Sequence, residues 1–353
     1  MRRTMSIYFY NFVVFASMLG LYISIYAKKA YVLRCIVFIV LFIISSIREG
    51  IGTDYVNYKE IYDFLAAGDT SLQLEPFFYI INIMVAKFGF DFRAVIIITS
   101  FLFVFPIIRC IDKRISIWVL FYFILSFYLA SFNAIRQAIA LSISCFALYQ
   151  YMNDDKKYKY SVFILCATMF HYSALIGLIV IVAKRYVFPV WINLLFIILF
   201  YLFLSVLTPI FLSSSFFLAT KYAFYSDTDF IDAAKLGSGF GLILQLLPFV
   251  VIIILNRFIF QVGEVRNFSV NVSMLLVLTK MLTLQISIFH RLEYSLVFML
   301  AILFGEVANR YKNSYLNFGL FLYLFAWSIL QFEMQLINNV NEIMPYQTFF
   351  GSL

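Results

Sequence analysis

About ten apolar runs, each near the length a helix needs to cross a bilayer, follow one another along this chain with only short charged connections between them. They fall at roughly 5–26, 32–47, 94–110, 115–131, 134–151, 188–211, 239–256, 270–288, 291–309 and 315–331. A soluble domain of 353 residues needs a charged surface, and a chain that is 64% hydrophobic and 12% charged, with mean hydropathy +0.96, cannot build one. Lipid is the solvent that tolerates such a surface. The abundance of Phe and Tyr suits membrane spans and their interfacial belts. The run at 5–26 is too long for a signal-peptide core and no A-x-A site follows it, so it reads as a retained first span. The expected fold class is an all-α polytopic integral membrane protein of about 10–12 transmembrane helices, with re-entrant or interfacial segments.

Two segments do not read as simple spans. Residues 76–90 are short and open with Pro76, which fits an interfacial or re-entrant helix. Residues 158–183 are apolar with His171 near the middle, and fit either one long span or two short helices broken near that histidine. Basic residues set the parity: Lys28, Lys29 and Arg34; Arg109, Lys113 and Arg114; Lys156, Lys157 and Lys159; Lys184 and Arg185; Arg257 and Arg266; Arg310 and Lys312. With all of these inside, 158–183 must enter and leave on one side and both termini lie outside, where Arg2 and Arg3 run against the rule. Most acidic residues, Glu49, Asp54, Glu75 and Glu293 among them, then fall outside. The net charge of +8 is spread in small groups at span ends rather than in a stripe, which excludes a nucleic-acid track. Cys35, Cys110, Cys145 and Cys166 show no metal-ligand spacing, and no metal or cofactor is expected. No internal repeat or low-complexity linker is visible, so residues 1–353 read as a single membrane domain with outer loops near 48–75 and 212–238.

Charges in or beside spans are costly and mark functional positions. The first group runs from Arg48 to Tyr58. Gly50 and Gly52 permit tight turns, Arg48 carries a donor fork suited to phosphate, Asp54 can accept a proton or hold a sugar hydroxyl, and Tyr55 and Tyr58 have faces suited to a sugar ring. The second is Asn133 to Ala138, with Arg136 and Gln137 in the first turn of a helix, where an anion is favoured. The third surrounds His171, whose ordinary pKa suits proton transfer near neutrality. The fourth is a tight turn from Phe289 to Tyr294 containing Arg291. Each also has a plainer reading: a snorkelling Arg, an interfacial anchor, a packed His, a solvated hairpin. Lys280 lies inside a span and should face a cavity or an acidic group. The long connection 212–238 holds Lys221, Tyr222, Asp227, Asp229 and Asp232, a candidate lid.

Read in order, R-x-x-x-G-T-D-Y-x-x-Y at Arg48–Tyr58, N-x-x-R-Q-A-x-A at Asn133–Ala140, F-H-x-S-A-L at Phe170–Leu175, R-x-x-Y at Arg291–Tyr294 and the closing Pro345-Tyr346 resemble the EpsG family. One departure is Ile51, where many relatives have Val. The resemblance implies a Wzy-type O-antigen or exopolysaccharide polymerase, a metal-independent glycosyltransferase similar to the large polytopic GT-C group. It implies transfer of a glycan from undecaprenyl diphosphate to a sugar hydroxyl of another lipid-linked repeat unit, at the periplasmic face of the bacterial inner membrane. It also implies membrane lipid and a chain-length regulator protein as partners. On that reading Arg48, Arg136 and Arg291 bind the diphosphate; His171 is the base and Asp54 positions the acceptor, with the two roles open to exchange; Tyr55, Tyr58, Gln137 and Tyr294 contact glycan. Competing readings are an O-antigen ligase, a lipid-linked oligosaccharide flippase or other transporter, and a membrane O-acyltransferase. A transporter would want paired halves with matched broken helices, which are absent here.

Overall fold

A computed structural model describes residues 2–27, 30–110, 114–218, 240–285 and 290–352. The helices in chain order are α1 (Arg2–Ser24), α2 (Ala30–Ser46), α3 (Tyr55–Ala66), α4 (Pro76–Lys87), α5 (Phe92–Ile108), α6 (Arg114–Phe123), α7 (Ile135–Asp154), α8 (Lys157–Thr168), α9 (Val180–Ala183), α10 (Val190–Leu212), α11 (Ser215–Leu218), α12 (Phe240–Ile259), α13 (Glu264–Gln285), α14 (His290–Ala308) and α15 (Tyr315–Ile337). The protein is an all-α polytopic membrane protein, and the ten apolar runs coincide with α1, α2, α5, α6, α7, α10, α12, α13, α14 and α15. By length and composition alone, three described helices suffice to cross a membrane: Arg3–Ser24, Gly241–Ile259 and Tyr315–Ile337. Helix is the form that satisfies every backbone N–H and C=O without water.

Two compact units divide the chain, Met1–Leu178 with Val297–Leu353, and Ile179–Leu296. In the first, α1 packs on α2, α2 on α5, α5 on α7 and α7 on α8. α7 is its hub. Small residues Ala138, Ala140, Ser142, Ser144 and Ala147 are all buried and let neighbouring backbones come close. α6 loosens into a π turn at Ile124–Tyr128 and a 3-10 turn at Ala130–Phe132, so the chain breaks just before α7. Such π segments cluster at functional positions.

Part of the segment expected as an outer loop is helical. α3 places Tyr55, Tyr58, Tyr62 and Leu65 on one buried stripe, and its three tyrosines pack with Phe78 and Val85 of α4 and Phe92, Val95 and Ile96 of α5. The spacing of 3, 4 and 3 is a helical period, and it outweighs the polar residues between. At 12 residues each, α3, α4 and α8 are about 18 Å long, short of a bilayer core about 30 Å thick. Residues 158–183 are not one continuous α-helix: α8 ends at Thr168 and a 3-10 helix, Tyr172–Ile179, follows His171.

In the second unit α12 and α10 pack on α13 around Ile253, Val270 and Val277. Asn271 Nδ2 donates to the carbonyls of Ala183 and Tyr186, at 2.9 and 2.6 Å, which ties α13 to the end of α9. Lys184 pairs with Glu264 at 2.9 Å. Lys280 pairs with Glu293, whose carboxylate also accepts from Thr283 at 3.3 Å. Lys221, Tyr222, Asp227, Asp229 and Asp232 lie outside the described residues.

The parity read from the basic residues is testable at two exposed positions, Gly68 and Asn153. Nothing stands within 4 Å of where a Cβ would lie at Gly68. In a background with the exposed Cys166 replaced, Gly68→Cys should react with an impermeant thiol reagent added to whole cells, and Asn153→Cys should be protected. The opposite labelling inverts the topology.

Candidate functional site

Arg48 follows α2 and turns inward. It is 2% exposed. One terminal nitrogen donates to the Ser45 carbonyl and, at 3.2 Å, to Ser100 Oγ of α5, while the guanidinium lies 4.8 Å from the centre of the Phe132 ring. Burial pushes its pKa down to about 10, so it remains charged at neutral pH. Beside it is a cavity of about 10 Å³ lined by Ser45, Thr99, Ser100 and Ser131, room for a water and far too small for a diphosphate or a sugar. Arg48, expected as a diphosphate ligand, therefore has its partners inside the protein.

The glycine loop after Arg48 is stitched to the break before α7. Asn133 Oδ1 accepts from Thr53 Oγ1 at 2.8 Å and from the Asp54 N–H at 2.7 Å. Gly52 has φ +100°, and a Cβ there would stand 3.0 Å from the Phe132 carbonyl oxygen. Only glycine allows this approach at that φ. The chain's last segment closes the same loop. Glu49 N–H donates to Gln347 O at 3.0 Å, Thr53 N–H to Asn341 O at 3.2 Å, and Phe349 N–H to Ile47 O at 3.2 Å. Asn339, Asn341 and Glu342 all take positive φ, a concentration of left-handed non-glycine backbone of the kind that collects at functional sites. Tyr346 anchors the segment. Its hydroxyl donates to Ile44 O at 2.7 Å, its N–H donates to Ser6 Oγ at 3.0 Å, and its ring meets Phe9 and Tyr10.

Asp54 is half-buried and precedes α3, but its carboxylate makes no capping bond to that helix. Tyr55 and Tyr58, expected to face a sugar, turn into the core instead. Their rings meet Phe92 and Phe78 edge-on at 5.4 and 5.7 Å. Arg136, in the first turn of α7, is ion-paired with Glu75, and its guanidinium lies 5.7 Å from the ring centres of both Tyr58 and Phe78. The Arg136 side chain is 22% exposed and that of Glu75 only 2%. Gln137 beside it is buried.

His171 is half-buried in the turn between α8 and the 3-10 helix, with Nδ1 2.7 Å from Ser173 Oγ. That turn is tied to α4: the Phe77 N–H donates to Met169 O at 3.1 Å, and the Phe77 and Phe170 rings meet at 5.2 Å. Arg291 and Tyr294 belong to the second unit, on the first turns of α14; Tyr294 is half-buried, and the Arg291 side chain is outside the described residues. Among the described residues, no group of three or more His, Cys, Asp or Glu could hold a metal ion.

The first unit thus gathers Arg48–Tyr58, Asn133–Gln137 and the closing segment, segments separated by up to about 300 residues of sequence. The EpsG family profile matches residues 31–348, nearly the whole chain. The chain belongs to the EpsG family. No curated protein and no solved structure matches it. EpsG is a Wzy-like polymerase family, so membership brings polysaccharide-polymerase chemistry and a lipid-linked saccharide substrate. Two parts of this candidate site are not visible in the sequence. Glu75 looked like one more acidic residue on the outer side, and nothing in the sequence alone shows its burial. Asn133 heads its motif, but nothing in the sequence shows that its amide meets Thr53 and Asp54.

Proposed function

We propose that this chain is a Wzy-type polysaccharide polymerase that transfers a glycan from undecaprenyl diphosphate to a sugar hydroxyl of another lipid-linked repeat unit at the periplasmic face of the inner membrane. The observation that carries the reading is the joining of two family motifs through one side chain, Asn133, which sets Asp54 beside the helix turn that bears Arg136. The acceptor oxygen attacks the anomeric carbon. The bond to the diphosphate oxygen breaks and its electron pair leaves on the diphosphate, while the hydroxyl proton passes to a base. A cation held in place before the reaction lowers the barrier by meeting that developing charge. Arg136, partly exposed, is assigned this contact. Arg48, buried between Ser45, Ser100 and Phe132, is assigned the positioning of the loop that holds Asp54.

His171 is assigned as base, with Ser173 as its orienting partner. Nδ1 accepts the Ser173 backbone N–H at 3.4 Å and lies 2.7 Å from Ser173 Oγ, so Nδ1 carries the lone pair of the neutral ring. Asp54 positions the acceptor. The test is polymerisation of a purified lipid-linked repeat unit by the purified protein. Removing a general base costs on the order of 10²–10⁴ in rate, and His171→Ala should show a loss in that range. An unchanged rate transfers the role to Asp54, and transfer to a lipid A core instead of a second repeat unit marks a ligase.

A further inference from the structure

Arg136 does not stand alone. Glu75, the residue just before α4, sends its carboxylate to Arg136 and makes no capping bond to its own helix. It is 2% exposed. A carboxylate is buried at a cost that only a close cation and good hydrogen bonding offset. The aromatic rings of Tyr58 and Phe78 complete the cradle: each lies 5.7 Å from the guanidinium carbon, and both residues are buried. Two residues after Glu75, Phe77 binds the Met169 carbonyl, so the segment that holds Arg136 is also bonded to the turn that carries His171.

We infer that Glu75 is a positioning residue for Arg136, holding its Nη1 so that the exposed end of the guanidinium is fixed to receive a lipid diphosphate. This rests on the polymerase reading above. Arg carries its five N–H donors in a rigid fork; Nη1 is committed to Glu75 and Nε is buried, so the part of the side chain left exposed, 22% of it, is held in one orientation. The pair also links two roles: Arg136 meets the leaving group, and the α4 segment sets the turn of the assigned base. A carboxylate that merely competed with phosphate for Arg136 would have the opposite effect on binding when neutralised.

The experiment is a double-mutant cycle on the full-length protein in nanodiscs, reading the affinity for undecaprenyl diphosphate. Glu75→Gln keeps the shape and removes the charge. It should weaken binding about tenfold, Arg136→Ala should weaken it at least as much, and Glu75→Gln added to Arg136→Ala, where it relieves a stranded carboxylate, should weaken it no further. Multiplying effects show that Glu75 acts independently of Arg136 and overturn the inference. Tighter or unchanged binding by Glu75→Gln overturns it as well. Should Glu75→Gln fail to give monodisperse protein, Glu75→Asp carries the same cycle: it keeps the charge on a shorter arm, and must again lose its effect in the Arg136→Ala background. Wild-type protein that does not bind undecaprenyl diphosphate defeats the polymerase reading itself. Wild-type binding that is indifferent to Arg136→Ala defeats the assignment of the site.

Discussion

Arg136→Lys is expected to abolish long glycan chains while the protein remains inserted and monodisperse. Lysine keeps the positive charge, so it can still face the buried Glu75 carboxylate and leave no uncompensated charge inside. What it loses is the planar fork. An ammonium ion is a point charge; it cannot hold a carboxylate through one nitrogen while a second, rigidly joined nitrogen faces a diphosphate. Loss of one preorganised donor at a site of developing charge typically costs on the order of 10²–10³ in rate, about 3–4 kcal/mol of transition-state stabilisation. A polymerase slowed that far makes few transfers before export or dilution ends the chain, so the glycan ladder should collapse to one or two repeats. Arg136→Ala should show the same ladder but is the poorer test. It strands Glu75, and breaking a buried ion pair costs about 3–5 kcal/mol. The measurements are glycan length by gel, turnover in vitro and the membrane yield of each variant. Normal ladders from Arg136→Lys would leave Arg136 with a structural role alone.

How far the sequence reaches differs between the scaffold and the site. The ten apolar runs foretold ten helices because the bilayer imposes length and composition directly, with no competing preference to arbitrate. His171 lies where an apolar stretch stops being a continuous helix, and the structure breaks there. The Arg48–Tyr58 motif was harder. Glycines, an aspartate and two tyrosines suggest an open loop with aromatic faces for sugar, yet the period of Tyr55, Tyr58, Tyr62 and Leu65 was already that of an amphipathic helix, and the tyrosines are its buried side. Polar composition hid a helical pattern. The inward course of Arg48 was not legible at all. It depends on Ser100 and Phe132, more than fifty and more than eighty residues away, and a lone sequence carries no trace of such a meeting. The same holds for Glu75, whose burial follows from its pairing with a residue sixty-one positions later.

Gly52→Ala should be the most damaging of three alanine substitutions, at Gly50, Gly52 and Gly68. Gly50, Gly52 and Gly68 all have positive φ, at +65°, +100° and +91°, so alanine carries a backbone cost of about 1–2 kcal/mol at each. Their surroundings differ. At Gly68 a Cβ meets nothing within 4 Å, and at Gly50 the nearest atom is the end of the Gln347 side chain at 3.8 Å. At Gly52 it meets the Phe132 carbonyl oxygen at 3.0 Å and Asn133 Cα and N at 3.2 and 3.3 Å, all backbone atoms that cannot rotate aside. The loop must therefore retreat from the break before α7 by a few tenths of an ångström or more. Thr53 and the Asp54 N–H, held to Asn133 Oδ1 at 2.8 and 2.7 Å, move with it, and Asp54 loses its fixed relation to Arg136. Gly52→Ala should lower the apparent melting temperature more than Gly50→Ala or Gly68→Ala, and it alone of the three should shorten the glycan ladder. Equal behaviour of the three variants would mean that the contact between the glycine loop and Asn133 does not hold the site together, and the joining of the two motifs would lose its functional meaning.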